Sequence, residues 1–307
     1  MRQKQLGNTG LMVSALSYGG MALPGDLGEG EAARLLEQAL ALGINCIDTA
    51  PCYPGSEALI GRIAHRRGEF LLASKCGCHT DEAGNGAHVF TARTARRNVE
   101  ESLLRMKTDH LDILQLHGAT LAALADEQRI LELIGALDAM KQEGKIGHYG
   151  VSIPHGLATD PDYPGRISAR NMDAMLESYP WACYQVVYGG MTRDCELVIE
   201  RARAAGRGIV ARGSTRLYRA DDADCFARSG AAELLEPGED MRGFFIRFTL
   251  SHPGVDTVLI GTANAAHLLD NVRAAERGPL APDVYAEAKR RFDGMGRTAY
   301  RPESARR

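Results

Sequence analysis

Four residues in this sequence have types and positions suited to acid–base chemistry. Asp48 closes the apolar run Cys46-Ile47, Lys75 closes Leu72-Ala73-Ser74, and His117 closes Leu114-Gln115-Leu116. Tyr53 follows Asp48 by five residues. Any one of these alone is ordinary: a solvated lysine, a satisfied histidine, an aspartate capping a helix. Ionisable groups that each end a buried run are harder to attribute to packing, because a buried charge without a partner is strongly unfavourable. Such groups must satisfy one another. A carboxylate beside an ammonium forms a pair, and an ammonium beside a phenol favours phenolate, moving the Tyr53 pKa down from about 10. A phenol tuned this way can protonate a carbonyl oxygen as hydride reaches its carbon. A neutral imidazole can donate to the same oxygen.

That chemistry requires separate segments held side by side. The opening stretch Lys4 to Leu16, with Gly7-Asn8-Thr9-Gly10 between two short apolar pieces, predicts a β-hairpin. Strands are then expected at Ala15–Gly19, Asn45–Thr49, Phe70–Ser74, Leu111–Leu116, His148–Ser152, Cys183–Val187, Gly208–Ala211 and Thr257–Ile260. Helical periodicity covers Glu31–Leu42, Ser56–His65, Thr91–Met106, Gln128–Glu143, part of Ala169–Ser178, Cys195–Ala205, Gly243–Ser251, Ala265–Ala275 and a terminal Pro282–Phe292. Gly43, Gly144, Gly206 and Gly254 read as C-caps.

Repeated βα units need a parallel sheet. Eight of them within 307 residues fit a closed barrel better than an open doubly wound sheet. The expected fold is therefore α/β, a (β/α)8 TIM barrel with an N-terminal β-hairpin and a C-terminal extra helix. Residues 1–307 read as one domain, since no linker rich in Pro, Gly or Ser divides them and Leu157–Ser168 is short enough for a βα loop. In such a barrel the strand ends carry function. Asp48, Lys75, His117 and Ser152 stand there, and Gln185 lies within a strand. A Rossmann fold would need G-x-G-x-x-G after a strand, whereas Gly19-Gly20 continues as Met21-Ala22-Leu23-Pro24-Gly25.

Bulk properties narrow the class. With 45% hydrophobic and 24% charged residues and a net charge of −3, the chain is an ordinary globular one with no electrostatic reason to bind nucleic acid or a membrane. No apolar run reaches the length of a membrane span, and the start Met1 to Gln5 lacks a signal-peptide core. A cytoplasmic location is expected. The seven cysteines (46, 52, 76, 78, 183, 195 and 225) are scattered and odd in number, which reads as reduced thiols. Cys76-Gly77-Cys78-His79 invites a zinc reading, but no second Cys/His cluster completes a tetrahedral set at the usual spacing. No metal is expected.

The motif set resembles that of the aldo-keto reductases. It comprises Asp48-Thr49-Ala50-x-x-Tyr53 with Ser56-Glu57, then Lys75, Leu111-Asp112-Ile113-Leu114-Gln115-Leu116-His117, and Gly150-Val151-Ser152. Ile260-Gly261-Thr262-Ala263-Asn264 running to Leu268-x-Asp270-Asn271 is similar to that family's cofactor-phosphate segment, and Leu6-Gly7-x-Thr9-Gly10-Leu11-x-Val13-Ser14 to its opening. The resemblance covers nearly the whole chain. It implies that Tyr53 is the general acid in reduction of an aldehyde or ketone, tuned by Lys75 and Asp48, with His117 orienting the carbonyl. It further implies that Ser152, Gln185 and Asp48 face the nicotinamide end of NADP(H), or of NAD(H), bordered by the backbone of Gly20 and Met21. Arg212, Gly213, Ser214 and Thr215 would cover the ring and pyrophosphate. Gly261, Thr262, Asn264, His267, Asp270 and Asn271 would hold the adenosine phosphate, with the helix start near Ala265 offering its N–H groups.

Three departures from the family pattern stand out. Ile153 follows Ser152 where Asn is common, Gly213-Ser214-Thr215 replaces Ser-Pro-Leu, and Asn264 stands where NADPH-selective members often carry Arg or Lys. Arg212, Arg216 or Arg219 could supply the missing charge. Tyr18, Cys52, His79, His88 and Tyr218 are expected in the substrate pocket, while Trp181 reads as packing. The expected partner is a small-molecule carbonyl or alcohol, and the expected assembly a monomer or weak homo-oligomer. Two other classes stay open: a regulatory subunit sensing nicotinamide redox state, and a non-redox lyase or isomerase on the same fold.

Overall fold

The computed structural model describes residues 1–23, 27–80, 86–155, 165–216 and 221–301. The chain opens with β1 (Gln3–Gln5) and β2 (Met12–Ser14), an antiparallel hairpin with Lys4 opposite Val13. The first half of the barrel then follows as β3 (Leu16–Gly19), α1 (Glu29–Ala41), β4 (Cys46–Asp48), α2 (Ser56–Ile60) and β5 (Leu71–Cys76). A second small hairpin, β6 (Cys78–Thr80) and β7 (Gly86–His88), precedes α3 (Ala92–Met106), β8 (Leu111–His117), α4 (Glu127–Gln142) and β9 (Ile146–Ser152). The second half is α5 (Gly165–Ser178), β10 (Cys183–Val187), α6 (Glu196–Ala204), β11 (Gly208–Arg212), α7 (Asp222–Arg228), α8 (Met241–Ser251), β12 (Thr257–Ile260), α9 (Ala265–Glu276) and α10 (Pro282–Gly294).

Strands β3, β4, β5, β8, β9, β10, β11 and β12 pair in parallel in that order, and β12 returns to β3 to close the barrel. This is the (β/α)8 architecture expected from the alternating pattern. The main core lies between strands and surrounding helices, where Leu36, Leu114, Leu133, Trp181 and Phe248 are fully buried. Each such side chain contributes about 1.5–3 kcal/mol. A second cluster joins Cys46, Ala73, Ile113, Cys183 and Val210 inside the barrel to Leu6 and Val13 of the first hairpin. The hairpin therefore floors the barrel at the N-terminal ends of the strands and leaves the opposite mouth open.

Side-chain caps begin several helices where the sequence offers them: Thr91 accepts from the Thr94 N–H, Asp126 from Arg129, and Asp240 from Gly243. Three differences from the sequence reading have physical causes. The helix expected over Ser56–His65 leaves α-geometry after Ile60 and continues to Glu69 as 3-10 turns with non-helical backbone at Ile63 and Arg66. Gly254 does not take the left-handed conformation of a C-cap. It is instead a close-packing glycine, because a Cβ there would lie 2.7 Å from the Ile199 side chain. Strand β5 runs through Lys75 to Cys76, so Lys75 is inside the strand rather than at its end. Most of Leu157–Ser168 lies outside the described residues. No helix among the described residues is long and apolar enough to cross a membrane.

His252, at the end of α8, gives this fold an acid-sensitive point. Its Nδ1 accepts the Gly254 N–H at 3.0 Å, so the ring is neutral, and burial pushes its pKa down to about 4. A base whose folded pKa is depressed contributes stability that is present above its unfolded value near 6.5 and lost as pH falls towards 4. Over that interval about 3 kcal/mol should disappear. Urea unfolding measured across this range should show the loss, and His252→Asn, whose amide oxygen can replace Nδ1, should flatten it.

Candidate active site

Register places the charged pair. Asp48 is the last residue of β4 and pairs with Ala73 of β5, so Lys75, two residues on, points to the same inner face. Lys75 is fully buried. Its Nζ donates to Asp48 Oδ1 at 2.6 Å and to the Thr49 carbonyl at 2.8 Å. Asp48 Oδ2 accepts from Gln185 Nε2 at 2.9 Å, and Gln185 Oε1 accepts from Ser152 Oγ at 3.0 Å. One hydrogen-bonded chain thus crosses the mouth from Lys75 to Ser152. His117 ends β8 opposite Ser152 of β9.

Tyr53 is held by a short, tightly bonded loop. Its N–H donates to the Ala50 carbonyl, its carbonyl accepts from Ser56, and the Thr49 and Ser56 hydroxyls meet at 2.8 Å. Glu57, buried on α2, accepts from Ser74 Oγ of β5 at 2.8 Å and from Arg105 Nε of α3 at 2.6 Å. This fastens the loop to the barrel. Lys75 Nζ then lies 5.2 Å from the Tyr53 ring centroid, and the Tyr53 and His117 rings meet edge-on at 5.6 Å and 84°.

The electrostatics correct one expectation. Burial, then the Asp48 carboxylate and Cys52, pushes the Tyr53 phenol well above its ordinary value, against a smaller opposing effect of Arg212. The ammonium of Lys75 is already matched by Asp48, so it does not pull the phenol down. Tyr53 keeps its proton, as a donor must. Burial also lowers the His117 pKa below its ordinary value, partly opposed by Cys52, and keeps the imidazole neutral.

A cleft of about 630 Å³ opens at this mouth. It is lined by Asp48, Tyr53, His117, Ser152 and Gln185, by Gly261, Thr262, His267 and Asn271, and by Arg212, Gly213, Ser214, Thr215 and Arg216. Met21 also lines it, whereas the Gly20 carbonyl faces away and accepts from Ser56 Oγ. A cleft of this volume with amide, hydroxyl and guanidinium donors in its lining fits a dinucleotide. Gly213, at φ +68°, turns the chain there as only glycine does readily. Ile153, in place of the common Asn, is buried, and its carbonyl accepts from Arg212 Nη2 at 2.9 Å.

Several expected contacts fall elsewhere. Asn264 is the N-cap of α9, where its Oδ1 accepts the N–H groups of Ala266 and His267. Those donors, expected for a phosphate, are already bonded. Asp270 is exposed, lies 3.5 Å from Arg273, and does not line the cleft. Tyr18 is buried, its hydroxyl donating to the Thr262 carbonyl at 2.6 Å, so it shapes the cofactor segment rather than the pocket. His79 contacts Arg97, whereas Trp181 is fully buried, in keeping with its reading as a packing residue. Tyr218 and Arg219 lie outside the described residues. The sequence reading missed Arg242, which lines the cleft from the first turn of α8. Its signal was weak, a lone arginine two residues past an N-cap.

The mouth also gathers sulfur and nitrogen ligands. Cys52 Sγ and Cys78 Sγ lie 3.1 Å apart and 3.3 and 3.2 Å from His117 Nδ1. With His88, one ligand atom from each residue lies within 4.8 Å of every other. The Cys78 thiol, then His117 and His88, hold the Cys52 thiol far below its ordinary range. Of the Cys76-Gly77-Cys78-His79 run, for which no metal was expected, Cys76 is buried in the core and Cys78 joins this group. The missing second cluster is supplied by Cys52, His88 and His117 from other segments, which a local-spacing rule cannot see.

Asp48, Lys75 and His117 thus stand on three neighbouring strands of a parallel eight-stranded barrel, with Tyr53 in the loop after the first of them, and the comparisons with known proteins place the chain among nicotinamide-dependent oxidoreductases of the barrel class. The aldo/keto reductase family model matches residues 15–216, and the chain belongs to that family. It is 27% identical to L-galactose dehydrogenase of Arabidopsis thaliana over 294 residues, covering 88% of this chain and 87% of that one. It is 28% identical to the uncharacterized oxidoreductase YqkF of Bacillus subtilis, covering 92% and 94%. The solved holo form of aldo-keto reductase AKR11C1 from Bacillus halodurans superposes with a TM-score of 0.80 at 27% identity, covering all of both chains.

Proposed function

We propose that this enzyme interconverts a small polar aldehyde or ketone and its alcohol, with Tyr53 as proton donor in the reducing direction and NADP(H) as cofactor. The observation that carries the reading is that one cleft is lined both by Tyr53 and His117 and by amide, hydroxyl and guanidinium donors suited to a dinucleotide. When bound, the nicotinamide supplies the hydride. Everything else falls to the protein. Ser152 and Gln185 orient a carboxamide, Lys75 and Asp48 hold the floor of the site, and Tyr53 and His117 share the substrate oxygen. The name of the Arabidopsis relative, L-galactose dehydrogenase, favours a sugar or similar polyol as substrate. Loss of 340 nm absorbance with an aldehyde and sugar panel tests the reading. Turnover without any nicotinamide, or tight cofactor binding without turnover of any substrate, would overturn it.

The choice of NADP(H) rests on Arg216, Arg242 and His267, which line the cleft near the segment read as the phosphate site. NAD(H) is favoured by a separate observation, the engagement of Asn264 in capping α9. Arg242→Ala separates the two. A charge-assisted hydrogen bond is worth roughly 1.5–3 kcal/mol, so the variant should raise KM for NADPH about tenfold or more while KM for NADH stays within about twofold. Equal, small effects on both cofactors, with NADH preferred by the wild type, would assign NAD(H).

A further inference from the structure

The cluster of Cys52, Cys78, His88 and His117 has the composition and spacing of a metal site, and nothing in the reaction proposed above requires its thiols. The four residues come from the Tyr53 loop, both strands of the β6/β7 hairpin, and the end of β8. Cys78 and His88 are direct partners in the hairpin register. Asn98 of α3 clamps the start of the hairpin, accepting the Gly77 N–H and donating to the Cys78 carbonyl, each at 3.0 Å. Gly77, at φ +97°, makes the turn that sends Cys78 away from the core side of Cys76, and a Cβ on it would lie 2.5 Å from the Phe90 ring. Gly118 leaves room for the His88 ring, since a Cβ there would come 3.2 Å from its Nδ1. The backbone positions of Cys78 and His88 are thus set by the hairpin register and its glycine turn.

Tetrahedral zinc with Zn–S near 2.3 Å and Zn–N near 2.0–2.1 Å has ligand–ligand edges of roughly 3.3–3.8 Å. The separations here, from 3.1 Å up to 4.8 Å, bracket those edges. All seven cysteines are free, Cys78 is buried, and Cys52 and His88 are exposed, so an ion has a path in from solvent. A Cys2His2 donor set selects a soft or borderline divalent cation over calcium or magnesium, which prefer oxygen. A simple redox pair would need only the two sulfurs, yet two imidazoles converge on them.

We infer that Cys52, Cys78, His88 and His117 form a tetrahedral site for a zinc-type divalent cation at the rim of the cleft. Coordination displaces thiol protons to solvent and changes no oxidation state. A consequence that rests on the carbonyl-reductase reading follows at His117. Ligation through Nδ1 leaves the proton on Nε2, the tautomer that can donate to a substrate oxygen. The site would then hold His117 in its donor form.

Cobalt(II) tests the site without reference to turnover. Protein purified under a phosphine reductant and stripped with chelator should take up one equivalent of Co2+, giving strong visible bands of tetrahedral geometry and a near-ultraviolet thiolate-to-cobalt band, and Zn2+ should bleach both. Cys52→Ser and Cys78→Ser should each diminish the thiolate band and weaken zinc binding by about tenfold or more. His88→Ala, at an exposed position, supplies the same test should a cysteine variant fail to fold. Absence of a thiolate band in the reduced wild type, a weak octahedral spectrum, or binding unchanged in all three variants would overturn the proposal. So would a Cys52–Cys78 disulfide that persists under the phosphine reductant and leaves no thiolate for the metal. An inactive enzyme that still shows the tetrahedral spectrum would sink the reductase reading and leave the metal site standing.

Discussion

Tyr53→Phe should lower kcat for carbonyl reduction by roughly 10²-fold or more, the scale of general acid catalysis, while leaving cofactor affinity within about twofold. The substitution removes one oxygen and keeps the ring. The edge-on contact with His117 and the position beneath Lys75 Nζ depend on the ring alone, so the cleft should keep its shape. Neither Lys75 nor His117 is set up to take over the proton. Lys75 is fully buried and its Nζ is engaged by Asp48 and Thr49, and His117 is held neutral by burial. Steady-state loss of 340 nm absorbance gives the rate, and fluorescence of bound reduced cofactor gives the affinity. Full activity in the variant would remove Tyr53 from the mechanism. Lost activity with equally lost cofactor binding would mean that the hydroxyl supports the cleft rather than the chemistry.

The barrel was legible because its βα units are long and periodic. Strands Cys183–Val187 and Thr257–Ile260 have the bounds expected from their apolar runs, and Asp48 and His117, which end other runs, line the cleft. What was not legible depends on contacts between distant segments. Strands of three residues, such as Cys78–Thr80 and Gly86–His88, hold too few positions to show a period of two, so the hairpin that carries Cys78 and His88 left no pattern. The sign of the Tyr53 shift was equally hidden. The types Lys75 and Tyr53 suggest a lowered phenol, but burial of the ring, then the nearby Asp48 carboxylate, push it up, and the depth of a loop residue is set by tertiary packing rather than by its type. Asn264 makes the same point. Its type reads as a missing phosphate ligand, yet α9 begins at the next residue and needs a cap.

Asp48→Ala should destabilise the protein by about 3–5 kcal/mol, the cost of leaving one member of a buried ion pair without its partner. Lys75 would keep only the Thr49 carbonyl around a fully buried ammonium. Lys75→Met should cost less, because the Asp48 carboxylate retains the amide of Gln185 at 2.9 Å. The double variant Asp48→Ala/Lys75→Met removes both charges, and its urea midpoint should lie above that of Asp48→Ala alone, a coupling that additive effects cannot produce. Buried pairs often add little net stability over apolar residues of similar size. A double variant that folds nearly as well as the wild type but no longer reduces carbonyls would show that this pair positions Tyr53 and Gln185 rather than stabilising the barrel. Strictly additive losses would instead make Asp48 and Lys75 independent supports of the fold, and the hydrogen-bonded chain from Lys75 to Ser152 would lose its claim to act as a unit.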